Sequence, residues 1–234
     1  MAENQPSKEV MDLYNKGNAA GMLGNFVEAF ECYLFAAEQG YAPAQCNLAF
    51  CYEKGHCVPL DYKKALDYYQ KAAKQGYAPA ICNLGWCYES GSGVDQDMEK
   101  AFAYYSKSAE QGYAPAQGNL GFCCENGNGI DKDIEQAFEW YQAAAVQGNV
   151  FAQFNLGACY EFGKGVEKNY EKAAEWYRKS AEHGYAPAQN CLGICYENGH
   201  GVAKNPLVAF EWYTIAAAQG YIAAKQNLDN LKKK

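Results

Sequence analysis

The sequence predicts an all-α protein, a solenoid of antiparallel helix pairs. Three observations predict it. First, Gly40, Gly76, Gly112, Gly148, Gly184 and Gly220 stand 36 residues apart, and Leu48, Leu84, Leu120, Leu156, Leu192 and Leu228 keep the same step, as do Tyr33, Tyr69, Tyr105, Tyr141, Tyr177 and Tyr213. A fixed period of this length marks a stack of like supersecondary units. Second, apolar and small residues recur at spacings of three and four in two segments of each period. Third, no segment alternates with a two-residue period between turn signals, so no sheet is predicted.

Each element follows in order. Residues 7–39 read as a first helix pair. Residues 42–221 hold five 36-residue copies, and 222–234 a capping helix with a Lys tail; all belong to one solenoid domain, 1–234. In the copy at 78–113, Pro79 suits the first turn of helix A, where its missing N–H is harmless. Ile81, Leu84, Gly85 and Tyr88 then fall on one face. Gly91 and Gly93 stop the helix by adopting left-handed φ cheaply, and Val94 is expected to tuck back onto the pair. Asp97 is the expected N-cap of helix B, with Asp61, Asp133, Asn169 and Asn205 at the matching positions. Helix B carries Ala101, Tyr104, Tyr105, Ser108 and Ala109 and ends at Gly112. Helices this short are marginal alone, so neighbouring pairs must stack.

The motif A-x-x-x-L-G-x-x-Y-x-x-G-x-G-V-x-x-D/N followed by A-x-x-Y/W-Y-x-x-A/S-A-x-x-G resembles the Sel-1-like repeat family, a relative of the tetratricopeptide repeat family. It covers residues 42–221. Residues 9–38 resemble a tetratricopeptide unit instead, since Gly17 to Ala29 is 12 residues where Gly85 to Ala101 is 16. A tight turn should therefore replace the G-x-G-V loop there. The resemblance implies a right-handed superhelix with A helices lining a concave face. It also implies adaptor or scaffold roles. Departures include Ala49 for the small Gly of helix A, Cys57 for a loop Gly, where strain is expected, and Cys124 for a Tyr.

Composition bounds the function. With 49% hydrophobic and 20% charged residues the chain suits a folded soluble protein. Its net charge is −7 and its one Arg is Arg178, which argues against nucleic-acid binding. Apolar runs fall far below the roughly 18 residues a membrane span needs, so no membrane insertion is expected. The start, MAENQPSKEV, lacks an apolar signal core. Eleven Cys invite a disulfide or metal reading. Cys51, Cys87, Cys123, Cys159 and Cys195 form one column, but equivalent residues of stacked pairs should lie roughly 10 Å apart, beyond the about 7 Å limit for a disulfide. The secreted cysteine-rich branch of the family pairs positions that are Ala73 and Ile81 here. The three His are scattered and no C-x-x-C occurs, so no metal and no cofactor is expected. Buried free thiols and a cytoplasmic location are the reading.

No catalytic constellation is visible: S-x-x-K and G-x-S-x-G are both missing. The chain reads as no enzyme, a β-lactam-binding or hydrolytic member of the family being the alternative and a structural or self-associating spacer the third reading. Carried over from the tetratricopeptide relatives, the peptide-binding positions are Asn47, Asn83, Asn119 and Asn155, with Asn227 in the tail, beside Phe50, Trp86, Phe122 and Phe154. Amides can grip a peptide backbone without reading its sequence, and aromatic rings supply contact area. The competing reading has each Asn bonding a loop carbonyl of its own or a neighbouring repeat. Glu53, Glu89, Glu125, Glu161 and Glu197 end every A helix, where the helix dipole disfavours them. They are expected to accept from loop N–H groups, or to form an acidic stripe steering a basic partner. The predicted partner is a protein or peptide.

Overall fold

The computed structural model describes residues 6–231. The expected Lys232-Lys233-Lys234 tail lies outside them. The described residues form thirteen α-helices and no strand. They divide into two compact units, one ending at Ala116 and one beginning at Gln117.

The first unit holds α1 (Lys8–Met22), α2 (Phe26–Glu38), α3 (Ala42–Lys54), α4 (Tyr62–Lys74), α5 (Ala78–Ser90) and α6 (Met98–Ala109). From α1 to α6 each helix packs on its neighbour in sequence within the unit. The second unit holds α8 (Ile134–Val146), α9 (Val150–Phe162), α10 (Tyr170–Glu182), α11 (Ala186–Asn198), α12 (Pro206–Ala218) and α13 (Ile222–Leu231), again packed in sequence order. The unit boundary falls in the first turn of α7 (Ala114–Asn126).

The local signals act where the sequence puts them. Asp61, Asp97, Asp133 and Asn169 each accept, at 2.9–3.0 Å, from the backbone N–H three residues on. Asn205 caps α12 in the same way, with Pro206 at the first helical position. Gly55, Gly91, Gly163 and Gly199 end their helices at φ 68°, 72°, 71° and 80°. The second loop Gly is needed for another reason. A Cβ on Gly201 would lie 2.0 Å from the carbonyl oxygen of Tyr170, and one on Gly165 would lie 2.5 Å from that of Ile134. The loop thus rests directly on the preceding B helix. Cys57 occupies this place in the first copy and takes φ 62°, the one non-Gly residue with positive φ among the described residues. The expected strain is there. The first pair has the expected tight turn, only Leu23–Asn25 between α1 and α2.

Packing follows the columns. Tyr69, Tyr105, Tyr141, Tyr177 and Tyr213 are fully buried with Leu48, Leu84, Leu120, Leu156 and Leu192. The helix-A Gly lets four of these Tyr rings in: a Cβ on Gly85, Gly121, Gly157 or Gly193 would come within 2.6–2.8 Å of Tyr105, Tyr141, Tyr177 or Tyr213. Val94 packs back onto the core as expected.

Candidate partner-binding face of the A helices

The Asn positions lie on the A helices, half-buried. Asn47 Nδ2 donates to Asn18 Oδ1 at 3.1 Å and to Tyr14 Oη at 3.4 Å. Asn83 Nδ2 points to Cys46 Sγ at 3.6 Å, and Asn227 Nδ2 to Asn190 Oδ1 at 2.9 Å. Each of these amides therefore reaches a side chain of the preceding repeat, not the loop carbonyl that the competing sequence reading named. Asn155 Nδ2 is buried without a partner. The residue that would receive it, by the register of the other copies, is Gly118, which has no side chain. Asn119 is half-buried at the same register. The Oδ1 atoms of Asn47 and Asn83 take no hydrogen bond from the described residues.

The neighbouring aromatics are more open. Phe50 is 44% exposed and Phe122 39%, while Trp86 and Phe154 are half-buried. Lys54 Nζ lies 5.4 Å from the Phe50 ring centre and 5.6 Å from that of Trp86. Phe154 turns inward, with its ring centre 5.8 Å from Tyr177 and 5.4 Å from Tyr185. Phe50, Trp86 and Phe122 thus present ring surface, whereas Phe154 is partly core.

The glutamate row has a cause that neither sequence reading named. Each carboxylate accepts from the buried Tyr of its own B helix: Glu53 from Tyr69 at 2.8 Å, Glu89 from Tyr105 at 2.5 Å, Glu125 from Tyr141 at 2.9 Å, Glu161 from Tyr177 at 2.5 Å and Glu197 from Tyr213 at 2.7 Å. The loop N–H groups go elsewhere. His56, Ser92, Asn128, Lys164 and His200 donate to the carbonyls of the Cys column. A hydrogen bond to a charged acceptor contributes about 1.5–3 kcal/mol, more than the roughly 0.3–1 kcal/mol the dipole costs. The Tyr hydroxyl therefore decides the position. Burial and the adjacent carboxylate push the Tyr69 and Tyr141 hydroxyls far above their ordinary range. The second carboxylate oxygen is also used in two copies, by Lys54 on Glu53 and Lys164 on Glu125, both at 2.6 Å.

A second ladder was missed. Gln75 donates to Gln45, Gln147 to Gln117 and Gln219 to Gln189, at 2.7–2.8 Å. Gln45 and Gln189 pass the chain on to the carbonyls of Ala37 and Ala181, and Gln153 donates likewise to that of Ala145. The signal was available as Gln pairs 30 residues apart. The cysteines pack as the sequence predicts: all but Cys57 and Cys191 are buried, and among the described residues none is in a disulfide. Burial pushes the Cys46 and Cys87 thiols up to about 12, which disfavours the nucleophilic thiolate. Among the described residues no cluster of His, Cys, Asp or Glu is placed to hold a metal ion. No described helix is long and apolar enough to cross a membrane.

The Sel1 repeat profile matches residues 12–41, 42–77, 78–113, 114–149, 150–185 and 186–221. This chain belongs to the Sel1 repeat family. Its first Sel1 repeat, 12–41, is the pair with the tight turn, so the profile includes the unit that the spacing sets apart. Solved Sel1 structures share the fold. One is a Sel1 repeat protein of Oxalobacter formigenes, 33% identical with a TM-score of 0.82, covering 93% of this chain and 86% of that one. Another is a protective antigen of uropathogenic Escherichia coli with an SLR fold, 32% identical with a TM-score of 0.78 over 96% of this chain. The chain spans about half the length of that antigen, 49%. The APC/C hetero-tetramer Cut9–Hcn1 is similar at 17% identity with a TM-score of 0.66, over 95% of this chain and 42% of that one, which shows the fold alone. No curated protein matches this sequence. Sel1 and tetratricopeptide-like repeats are typically protein-interaction scaffolds.

Proposed function

We propose that this Sel1 repeat protein is an adaptor or scaffold that holds a peptide or partner protein along the A-helix face, with no catalytic activity of its own, in the cytoplasm. One observation carries the reading. Large aromatic side chains at one repeat register of the A helices, Phe50 and Phe122, stay substantially exposed, whereas the Leu and Tyr columns of the same repeats are buried. Trp86 shares their register. Exposed aromatic anchors are what a partner-binding surface requires. The Asn residues serve as scaffold and contact together. The Nδ2 groups of Asn47 and Asn83 are used between repeats, leaving Oδ1 to accept from a bound backbone. Asn119 and Asn155 hold the same repeat register in the second unit, and Phe154 contributes only its outer edge. A basic partner draws support from the net charge of −7. The glutamate row adds little to it, because a Tyr hydroxyl engages each of those carboxylates and a Lys ammonium group two of them.

The test is a pull-down from the native source, comparing wild type with an Asn83→Ala/Asn119→Ala/Trp86→Ala variant whose melting curve is recorded alongside. Loss of specific partners from a folded variant is the expected result. Equal capture of the same partners removes the face from the account.

A further inference from the structure

The first repeat lacks a group that every later repeat has. Glu53, Glu89, Glu125, Glu161 and Glu197 each stand four residues beyond the small residue of helix A. Each places a carboxylate against the buried Tyr of helix B. In the first pair the small residue is Gly17, whose Cβ would lie 2.8 Å from the Tyr33 ring, as Gly85 meets Tyr105. Four residues on is Gly21. A Cβ there would stand 3.6 Å from Tyr33 Oη and 3.8 Å from Ala29, in ordinary contact with room beyond. The carboxylate seat is thus built but unfilled, and the tight turn brings no loop to cover it. In its place is a cavity of about 210 Å³ lined by Gly21, Tyr33, Asn47, Phe26, Phe50 and His56.

Its rim is ordered. His56 stacks on Phe26 with ring centres 4.7 Å apart, and Phe50 meets the same imidazole edge-on at 5.9 Å. Both Phe rings remain more than two-fifths exposed, Phe26 at 43% and Phe50 at 44%. His56 also occupies the loop position of Lys164, the residue that reaches back to Glu125 in the preceding repeat. The first repeat therefore keeps the Tyr donor and a loop side chain able to donate, without the carboxylate that lies between Tyr141 and Lys164.

We propose that this cavity is a seat for a carboxylate side chain presented by a peptide partner, with an apolar neighbour of that residue lying on Phe26 and Phe50. The proposal rests on the A-helix-face reading, because Asn47 and Phe50 belong to both. Tyr33 Oη now donates to Asn18 Oδ1 at 2.9 Å. On binding it turns to the incoming carboxylate, and Asn18 Oδ1 keeps the bond from Asn47 at 3.1 Å, so no buried acceptor is stranded. The nearby acids do not oppose this as bare charges. Glu28 is paired with Lys16 at 2.9 Å, and Glu53 with Tyr69 and Lys54.

The experiment titrates the full chain with acetyl-Leu-Glu-Leu-amide and with its Gln analogue, followed by amide and imidazole NMR. The Glu peptide should shift the Gly21 and His56 resonances saturably at millimolar concentration. The Gln peptide should bind about tenfold more weakly, since a charged acceptor makes the stronger hydrogen bond. Gly21→Glu installs the carboxylate of the other repeats; it should melt no lower than wild type and lose peptide binding. His56→Ser, which copies Ser92, should weaken binding roughly fivefold. It decides the matter if Gly21→Glu fails to fold. Unmoved Gly21 and His56 resonances, equal Glu and Gln affinities, or wild-type binding by folded Gly21→Glu each overturn the proposal. The Asn83→Ala/Asn119→Ala/Trp86→Ala variant separates the two claims. Tripeptide binding that survives in it while native partners are captured undiminished sinks the reading of the face alone. Absent tripeptide binding with partner capture that depends on the face sinks the seat alone.

Discussion

Replacing His183 with Gln should stabilise the protein. The buried Oε1 of Gln153 has no partner, although its Nε2 donates to Ala145 O at 3.2 Å. In three other copies the matching oxygen, on Gln45, Gln117 or Gln189, accepts from a Gln 30 residues later at 2.7–2.8 Å. For Gln153 that later residue is His183, whose Nδ1 lies 2.8 Å from Lys179 O. A Gln there loses little, because Gln75 and Gln147 keep the equivalent contact to the carbonyl four residues back while bridging to their partners. Leaving a buried acceptor unsatisfied costs about 1–3 kcal/mol, so His183→Gln should gain about 1–2 kcal/mol. For a chain of this length that corresponds to roughly 2–8 °C in Tm. The assay is urea unfolding followed by circular dichroism, run as a double-mutant cycle with Gln153→Ala. Unchanged or lower stability in His183→Gln would refute the reasoning. So would an equal gain in the Gln153→Ala background.

Three further outcomes follow from the same geometry. Tyr69→Phe should lose about 2–3 kcal/mol in chemical denaturation, because the Glu53 carboxylate, 7% exposed, loses its buried donor and keeps only Lys54. Stability should fall in strongly alkaline solution. The Cys46 thiol is raised to about 12 by burial, so the folded state holds its proton longer. That contribution is complete below the ordinary thiol pKa of about 8.5 and is lost as pH rises toward 12, at about 1.4 kcal/mol per pH unit. Urea midpoints measured from pH 8 to 11 should decline, and less steeply in Cys46→Ala. Cys57→Gly should gain about 1 kcal/mol by relieving a side chain at φ 62°, whereas Gly201→Ala should lose about 2–4 kcal/mol against the Tyr170 carbonyl. Thermal melts of both variants check the pair of opposite signs.

The legible part of this molecule is the part governed by rules local in the chain. Asp97 reads as a cap because its side chain reaches only three residues ahead, and Gly91 as a stop because its own φ is the signal. The buried Tyr and Leu columns follow from helical spacing repeated in every copy. What escaped the sequence depends on where two helices touch. The bond from Tyr69 to Glu53 crosses between helices of one pair, so the helix-end glutamates looked unexplained when each was judged on its own helix. The Asn column was ambiguous for the same reason. Asn83 meets a residue 37 positions earlier, and only stacking reveals that this is Cys46. The orphan on Asn155 is a consequence of Gly118 that no reading of helix A by itself could show. The proposed partner-binding residues were legible only as a column. Their exposure, high for Phe50 and low for Phe154, came from the packing around each ring.

The central claim is that partners dock on the A-helix face, and site-specific photo-crosslinking tests it most directly. Benzoylphenylalanine placed at Trp86 or at Phe122, with Glu139 and Glu211 on exposed B-helix positions as controls, reports which surface a captured partner touches. The account predicts crosslinks from the A-helix positions and none from the B-helix controls. Crosslinks confined to the controls would contradict it.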